Sequence, residues 1–395
     1  RRRCSGVTMQ QFAFIIHPID ARRDVGRKYP IARYLPERLI EWYIQRRDPL
    51  VVSEIVGVRS PTGEEARGWF IGCPLTPRQM LALPLDFVWE KLEQCGRIAK
   101  DLGAGILGLG AFTSVVGDGG VTLAKRLPDL AITTGNSYTV ATAIEGARKA
   151  GERMGYSIPS ARVAVVGATG SIGATCAEIF AREAAQVALV GRNTEKLEAL
   201  AARLREQGRA EIALFTDVAA GLKEADIIIT VTSAVDAIIL PEHVKRGAVV
   251  CDVARPRDVS VRVARERNDV LVLEGGVVAV PGDMHTPRPD RPGSEFSFGF
   301  PPGTAYACMS ETMILALEGR YESFTLGKEV SAAQVDEISA LAARHGFHLA
   351  GFRSFEHAVD EAEIARIRRN AFGSGAPPAS SGALPGVPTP ETKAP

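Results

Sequence analysis

Gly167, Gly170 and Gly173 follow directly on the apolar run Val163-Ala164-Val165-Val166 and lead into the helical pattern Thr175 to Glu183. A strand, a glycine turn and a helix in that order let the backbone bend sharply. They also bring N–H groups and the positive end of a helix dipole against a pyrophosphate. The segment Gly167-Ala168-Thr169-Gly170-Ser171-Ile172-Gly173 is therefore read as a dinucleotide-binding turn, the alternative being an ordinary glycine turn. Gln186 to Val190 reads as the second strand and ends at Gly191-Arg192-Asn193, where a carboxylate would hold an unphosphorylated ribose. Arg192 instead offers a cation to a 2′-phosphate, with Asn193 and Thr194 as donors, so NADPH is expected over NADH. The competing reading makes Arg192 a solvated side chain opening the next helix.

A second chemistry is open to Cys308. The segment Pro301 to Glu311 reads as a helix start, where the dipole can hold a first-turn thiol as thiolate, a good nucleophile toward carbonyls. Taken alone, a Cys between Ala307 and Met309 reads as a small core residue. Thr134, Asn136 and Ser137 are candidates for orienting a substrate or polarising its carbonyl, or else for capping a helix expected from Val140 to Met154. Tyr306 and Glu311 could handle protons or simply pack. His17, at the end of the apolar stretch Phe12 to Ile16, faces a cleft or bonds to backbone. His285, His345, His348 and His357 show no metal-ligand spacing, so no metal is expected.

The elements needed to position these groups suggest an α/β protein with a Rossmann-like doubly wound parallel sheet, an N-terminal mixed α/β substrate lobe and C-terminal helices. Short apolar runs at 211–215, 226–230, 248–252 and 270–273 alternate with helical or turn segments. Ligands bind outside the carboxyl ends of such strands, which nominates Thr232-Ser233, Asp252-Val253-Ala254 and Gly275-Gly276 as cofactor or substrate wall, or plain turns. The expected division is a substrate lobe over 1–155, an NADP-binding domain over 156–280, a Pro/Gly-rich loop or lid over 281–303, a helical segment with Cys308 over 304–372, and a disordered tail over 373–395.

Composition narrows the classes. Lys plus Arg number 47 against 46 for Asp plus Glu, which leaves no overall electrostatic footprint for nucleic acid or an anionic membrane, only room for a local patch. The six cysteines have no repeated short spacing, so neither a zinc site nor a disulfide framework is indicated and a reducing, cytoplasmic setting is expected. No apolar run is long enough to span a bilayer. Arg1-Arg2-Arg3 resembles a basic leader, but the apolar stretch after it breaks at His17-Pro18.

Three stretches read together, Leu109-Gly110-Ala111-Phe112-Thr113-Ser114-Val115-Val116, Thr133-Thr134-Gly135-Asn136-Ser137-Tyr138-Thr139 and Ala307-Cys308-Met309-Ser310-Glu311, strongly resemble the long-chain acyl-[acyl-carrier-protein] reductases best known from cyanobacteria. The glycine turn and Leu317-Glu318-Gly319 add to the likeness, which runs from about Phe12 to Phe347. The resemblance implies that an acyl group passes from a carrier thiol to Cys308 and is reduced with NADPH to a fatty aldehyde. Acyl-carrier protein or acyl-CoA would be the acyl donor, and an aldehyde-consuming enzyme a further partner. Two departures, the Pro-rich 281–303 loop and the sequence after Phe347, leave acyl length and carrier open, as is the oligomeric state. Two other readings keep the nucleotide turn: a shikimate-dehydrogenase-like NADP oxidoreductase acting on a hydroxyl or ketone, and a non-catalytic NADP(H)-sensing protein.

Overall fold

The computed structural model describes residues 9–355, 357–375 and 377, and the chain forms two compact units. One holds the chain up to Thr142 together with Gly276–Ala350; the other holds Ala143–Gly275 and the residues from Gly351 on.

The first unit is built on a mixed sheet containing β1 (Gln10–Ile16), β2 (Leu50–Arg59), β3 (Glu65–Gly72), β4 (Ile106–Gly108) and β5 (Ala131–Thr133). β1 lies parallel to β3 and β4, β4 parallel to β5, and β2 antiparallel to β3. Alternation along β1 sends Phe12 and Phe14 into one core and Ala13 and Ile15 into the other, as the two-residue strand period requires. Helix Leu85–Asp101 contributes Val88, Leu92 and Cys95 to the second core. The first core is filled by helix Ala307–Leu317, buried from Met309 to Leu317, its Ser310, Glu311 and Thr312 included. A helix with no exposed face has to lie inside the fold.

The second unit carries β6 (Arg162–Val166), β7 (Gln186–Val190), β8 (Glu211–Phe215), β9 (Ile227–Thr230), β10 (Val249–Asp252) and β11 (Leu271–Glu274), in the order β11-β10-β9-β6-β7-β8. Every pairing is parallel. This is the doubly wound order, with its topological switch between β6 and β9. β6, β9 and β10 are buried along their whole length, which is why they read as continuous apolar runs rather than alternating ones.

Returning to the first unit, β12 (Val277–Ala279) is flanked antiparallel by β14 (Thr304–Tyr306) and β15 (His348–Leu349), while β13 (Gly282–His285) pairs with β2 at the edge of the large sheet. The hairpin of β16 (Phe352–Ser354) and β17 (His357–Val359) and helix Glu361–Phe372 complete the second unit.

These divisions differ from the sequence expectation: the units exchange at Thr142 and Gly276 rather than at 155/156 and 280/281, and two further segments differ. Residues 304–372 are not one helical segment: helix Ala307–Leu317 is central to the first unit because the parallel strands β1, β4 and β5 need an apolar cover on that face, and the chain changes unit after Ala350. Within the 281–303 stretch, residues 286–296 form a hairpin, with Phe296 N–H donating to Thr286 O (2.9 Å) and Arg288 N–H to Ser294 O (3.1 Å). Phe296 and Phe298 anchor it on Phe70 at ring separations of 5.8 and 5.3 Å. Aromatic burial thus outweighs its Pro/Gly content. Most of the expected 373–395 tail lies outside the described residues.

Candidate active site

Cys308 is the second residue of helix Ala307–Leu317, and two backbone turns close on it. After β5, Gly135 turns at φ 74° so tightly against the helix start that a Cβ there would lie 2.3 Å from the Cys308 Cα. After β4, a Cβ on Gly110 would come within 3.4 Å of the Cys308 Sγ, and the next residue, Ala111, sits at φ 47°. That left-handed conformation costs a non-glycine residue about 1–2 kcal/mol. The backbone N–H groups of Ala111, Met309 and Cys308 itself lie near Sγ and favour its charged form.

The thiol is half-buried, and burial pushes its pKa up to about 12; the Met309, Cys308 and Ala111 N–H groups act in the opposite direction, and the Glu311 carboxylate adds to the rise. The resting group is therefore a thiol. The thiolate expected from the helix dipole alone is overridden by desolvation. Cys251 is equally held as a thiol, its pKa raised by burial to about 12, but it is enclosed in β10.

Glu311 organises the turn opposite Cys308. Fully buried, its carboxylate accepts from Thr133 Oγ1 (2.5 Å), Ser137 Oγ (2.6 Å), Tyr138 N (2.9 Å) and Thr325 Oγ1 (2.9 Å). A buried carboxylate is tolerated only when so satisfied. It caps helix Asn136–Met154, which begins four residues before the Val140 expected from sequence. The Ser137 hydroxyl is thereby committed to Glu311 and fully buried, and Thr134 Oγ1 donates to Thr325 O (3.0 Å). Asn136, also buried, directly follows the Gly135 that presses on Cys308.

His17 ends β1 and fixes the other turn. Its Nε2 accepts from Phe112 N (3.2 Å), its Nδ1 donates to Pro18 O (3.2 Å), and burial lowers its pKa to about 4, so the ring is neutral. It acts through backbone, holding the turn that carries Ala111. Among the described residues no cluster of three metal-ligating groups occurs.

In the second unit the glycine turn lies at the β6/β9 switch. Gly167 turns at φ 83°, where a Cβ would meet Val231 O at 2.8 Å and Thr232 Cγ2 at 3.2 Å, and a Cβ on Gly173 would strike Gly167 O at 2.3 Å. Only bare backbone fits at Gly167 and Gly173, and Gly170, as N-cap, puts no capping side chain over the start of helix Ser171–Glu183. Buried Asp258 sets the opposing loop by accepting from Thr230 Oγ1 (2.6 Å), Thr232 N (2.9 Å) and Thr232 Oγ1 (2.5 Å); Ser233 next to it is exposed. Arg192 is exposed just past β7. Asn193 is otherwise engaged: its Oδ1 caps helix Thr194–Gln207 by accepting from Lys196 N (2.8 Å). Asp252 accepts from Val259 N (2.9 Å) and Ala254 N (3.1 Å), and burial raises its pKa to about 6.

Sequence reasoning missed Ala111, Thr325 and Asp258. Each acts through partners far away in the chain, and only the glycine next to Ala111 gave a local sign.

The Shikimate / quinate 5-dehydrogenase family model matches residues 148–273, the nucleotide-binding part. The chain is 29% identical over 366 residues to a Serratia sp. protein named Aminotransferase PigE, covering 91% of this chain and 42% of that one, so it spans less than half of that relative. It is 29% identical over 339 residues to the Long-chain acyl-[acyl-carrier-protein] reductase of Synechococcus elongatus, covering 83% of this chain and 95% of the relative. Over 152 residues it is 32% identical to the Glutamyl-tRNA reductase of Exiguobacterium sp., covering 36% of this chain and 32% of that one. With the doubly wound sheet, these similarities support an oxidoreductase with a nicotinamide cofactor. Among the described residues no helix is long and apolar enough to cross a membrane.

Proposed function

We propose that this chain reduces a fatty acyl thioester, presented on acyl-carrier protein or coenzyme A, to a fatty aldehyde with NADPH, by way of an acyl group on Cys308. The observation that carries the reading is the setting of the Cys308 sulfur: a nucleophile on a first helical turn, beside the N–H groups of Ala111 and Met309, where Gly110 and Gly135 let backbone come close to it. The 29% identity to an acyl-[acyl-carrier-protein] reductase over 83% of the chain supports it.

In the first half, Sγ forms a bond to the thioester carbonyl carbon and the bond to the carrier sulfur breaks. The proton lost by Cys308 ends on the departing thiol, so the exchange is neutral overall. A thiol held protonated by burial suits such an exchange, since the proton leaves only as substrate enters. The Ala111 and Met309 N–H groups would receive negative charge, on sulfur before attack and on the acyl oxygen afterwards. NADPH would supply a hydride to the acyl carbon. Cleavage of the carbon–sulfur bond then frees aldehyde, and Cys308 takes up one solvent proton to regain its thiol.

Gly167, Ala168, Thr169, Gly170, Ser171, Ile172 and Gly173 would hold the cofactor pyrophosphate, with Arg192 at the 2′-phosphate and Thr232-Ser233 along the wall. Ser137 would position the Gly135 turn through Glu311, and Asn136 would orient the acyl group. The alternative, a hydroxyl or ketone oxidoreductase, draws on a family match that ends at residue 273, before Cys308.

The deciding experiment incubates the protein with NADPH and a panel of acyl-carrier-protein and coenzyme A thioesters, following cofactor oxidation and aldehyde together. Oxidation with hydroxyl or ketone substrates but no thioester would favour the alternative; nucleotide binding without any turnover would favour a sensor.

A further inference from the structure

Helix Glu37–Ile44 has two apolar faces. Ile40 and Ile44 enter a small core with Ala21 and Ala32, whereas Leu39, Trp42 and Tyr43 are exposed, Trp42 by 53%. With Arg46, the outward residues fall at i, i+3, i+4 and i+7, a single stripe along the helix. The Arg46 guanidinium lies 4.1 Å from the Trp42 ring centroid and that of Arg47 4.4 Å from Tyr43. On the preceding turn Ile31 is 68% and Tyr34 87% exposed. The core makes no use of these side chains, and each would gain by leaving water.

The surrounding charge is predominantly positive, with Asp20 and Asp48 the exposed acids beside it. Arg22, Arg33, Arg38, Arg46 and Arg47 are exposed, while Asp24 pairs with Arg23 (3.2 Å), Glu37 with Arg78 (3.5 Å), and Glu41 is buried and accepts from Thr76 (2.8 Å). Arg22, Arg23 and Arg33, with Asp20, line an open recess of about 350 Å³. A formal net charge of +1 for the whole chain makes this a local concentration of cations.

We propose that this element seats the protein on an anionic phospholipid surface, with Ile31, Tyr34, Leu39, Trp42 and Tyr43 entering the interface and the arginines reaching headgroup phosphates. Trp and Tyr, apolar in body and polar at the tip, interleaved with Arg, suit a helix lying in an interface. A stripe of this length covers on the order of a few hundred Å², short of the roughly 800 Å² per partner of a stable protein interface.

The test mixes the full chain with vesicles of phosphatidylcholine alone or of phosphatidylcholine with phosphatidylglycerol. Pelleting should be at least about tenfold greater with the anionic vesicles and fade as salt shortens the screening length. Trp69 and Trp89 are buried, so a blue shift of tryptophan emission on adding vesicles reports Trp42 in the unmodified protein. Leu39→Ser with Trp42→Ser should weaken binding to both vesicles, and Arg38→Glu with Arg46→Glu only the anionic preference; unfolding midpoints report that these variants fold. Inorganic phosphate should compete no better than chloride at matched ionic strength. No pelleting and no shift with either vesicle would overturn the proposal. So would a lipid-free dimer that Trp42→Ser dissolves, or binding of an acidic protein through the same arginines without vesicle binding.

Discussion

Gly135 and Cys308 are in backbone contact: a Cβ on Gly135 would lie 2.3 Å from the Cα and 2.4 Å from the Cβ of Cys308. With Gly135 at φ 74°, a larger residue meets both strain and overlap, so the sulfur's position depends on this glycine.

Gly135→Ala should therefore displace the first turn of helix Ala307–Leu317 and slow acylation of Cys308 on the order of a hundredfold, the usual effect of misplacing a reacting atom by about 1 Å. NADPH affinity should be unchanged, because the nucleotide turn belongs to the other unit. Titration with NADPH and mass spectrometry of the acylated protein separate the two effects. Acylation at the unmodified rate would mean the close approach is not needed.

His17 predicts an acid sensitivity. Burial lowers its pKa from 6.5 to about 4, so the folded chain binds this proton more weakly than the unfolded chain. The resulting stability is complete above about pH 6.5 and is lost as pH falls toward 4. Protonation would also place a donor where the Phe112 N–H needs an acceptor. His17→Gln, which offers an amide oxygen there and does not titrate, should flatten the fall in unfolding midpoint across this window. Parallel profiles for both proteins would remove His17 from the explanation.

Glu311→Gln leaves one oxygen to serve four donors and should cost about 2–4 kcal/mol in denaturant unfolding. Acylation should slow as the Gly135 turn loosens. A cost below about 0.5 kcal/mol would show that the network is replaceable by water.

Arg192, exposed just past β7, is proposed to meet a 2′-phosphate where a carboxylate would otherwise bind the ribose. NADPH should bind more tightly than NADH, and Arg192→Ala should weaken NADPH by about tenfold to a hundredfold, the worth of a charge-assisted hydrogen bond, with little change for NADH. Equal affinity of the unmodified protein for both cofactors would sink this assignment.

The nucleotide half was legible because its signals are local: Gly167, Gly170 and Gly173 make their turn within seven residues of chain, and each strand of the parallel sheet is a short apolar run. The Glu311 network could not be read in the same way, since its bonds to Thr133, Ser137 and Tyr138 span 178, 174 and 173 residues. The 281–303 stretch is an intermediate case. Phe296, Phe298 and Phe300 alternate as one face of an extended strand should, but the surrounding Pro and Gly pointed to a loop. Helix Ala307–Leu317 hid its central place because a helix buried all round, with Ser310, Glu311 and Thr312 inside as well, shows no amphipathic period.

The strongest test remains Cys308 itself. Supplied with acyl thioester and no NADPH, the protein should become acylated there and nowhere else. Because burial raises the thiol pKa to about 12, alkylation of Cys308 should quicken about tenfold per pH unit between roughly pH 7 and 9, without the plateau that a resting thiolate would give. Cys308→Ser should retain NADPH binding yet lose aldehyde formation, since a hydroxyl ionises far less readily and its ester is a poorer hydride acceptor. Cys251→Ser, enclosed in β10, should reduce stability more than turnover. Full aldehyde production by Cys308→Ser would end the acyl-enzyme mechanism and leave the nucleotide turn to serve a hydroxyl or ketone oxidoreductase.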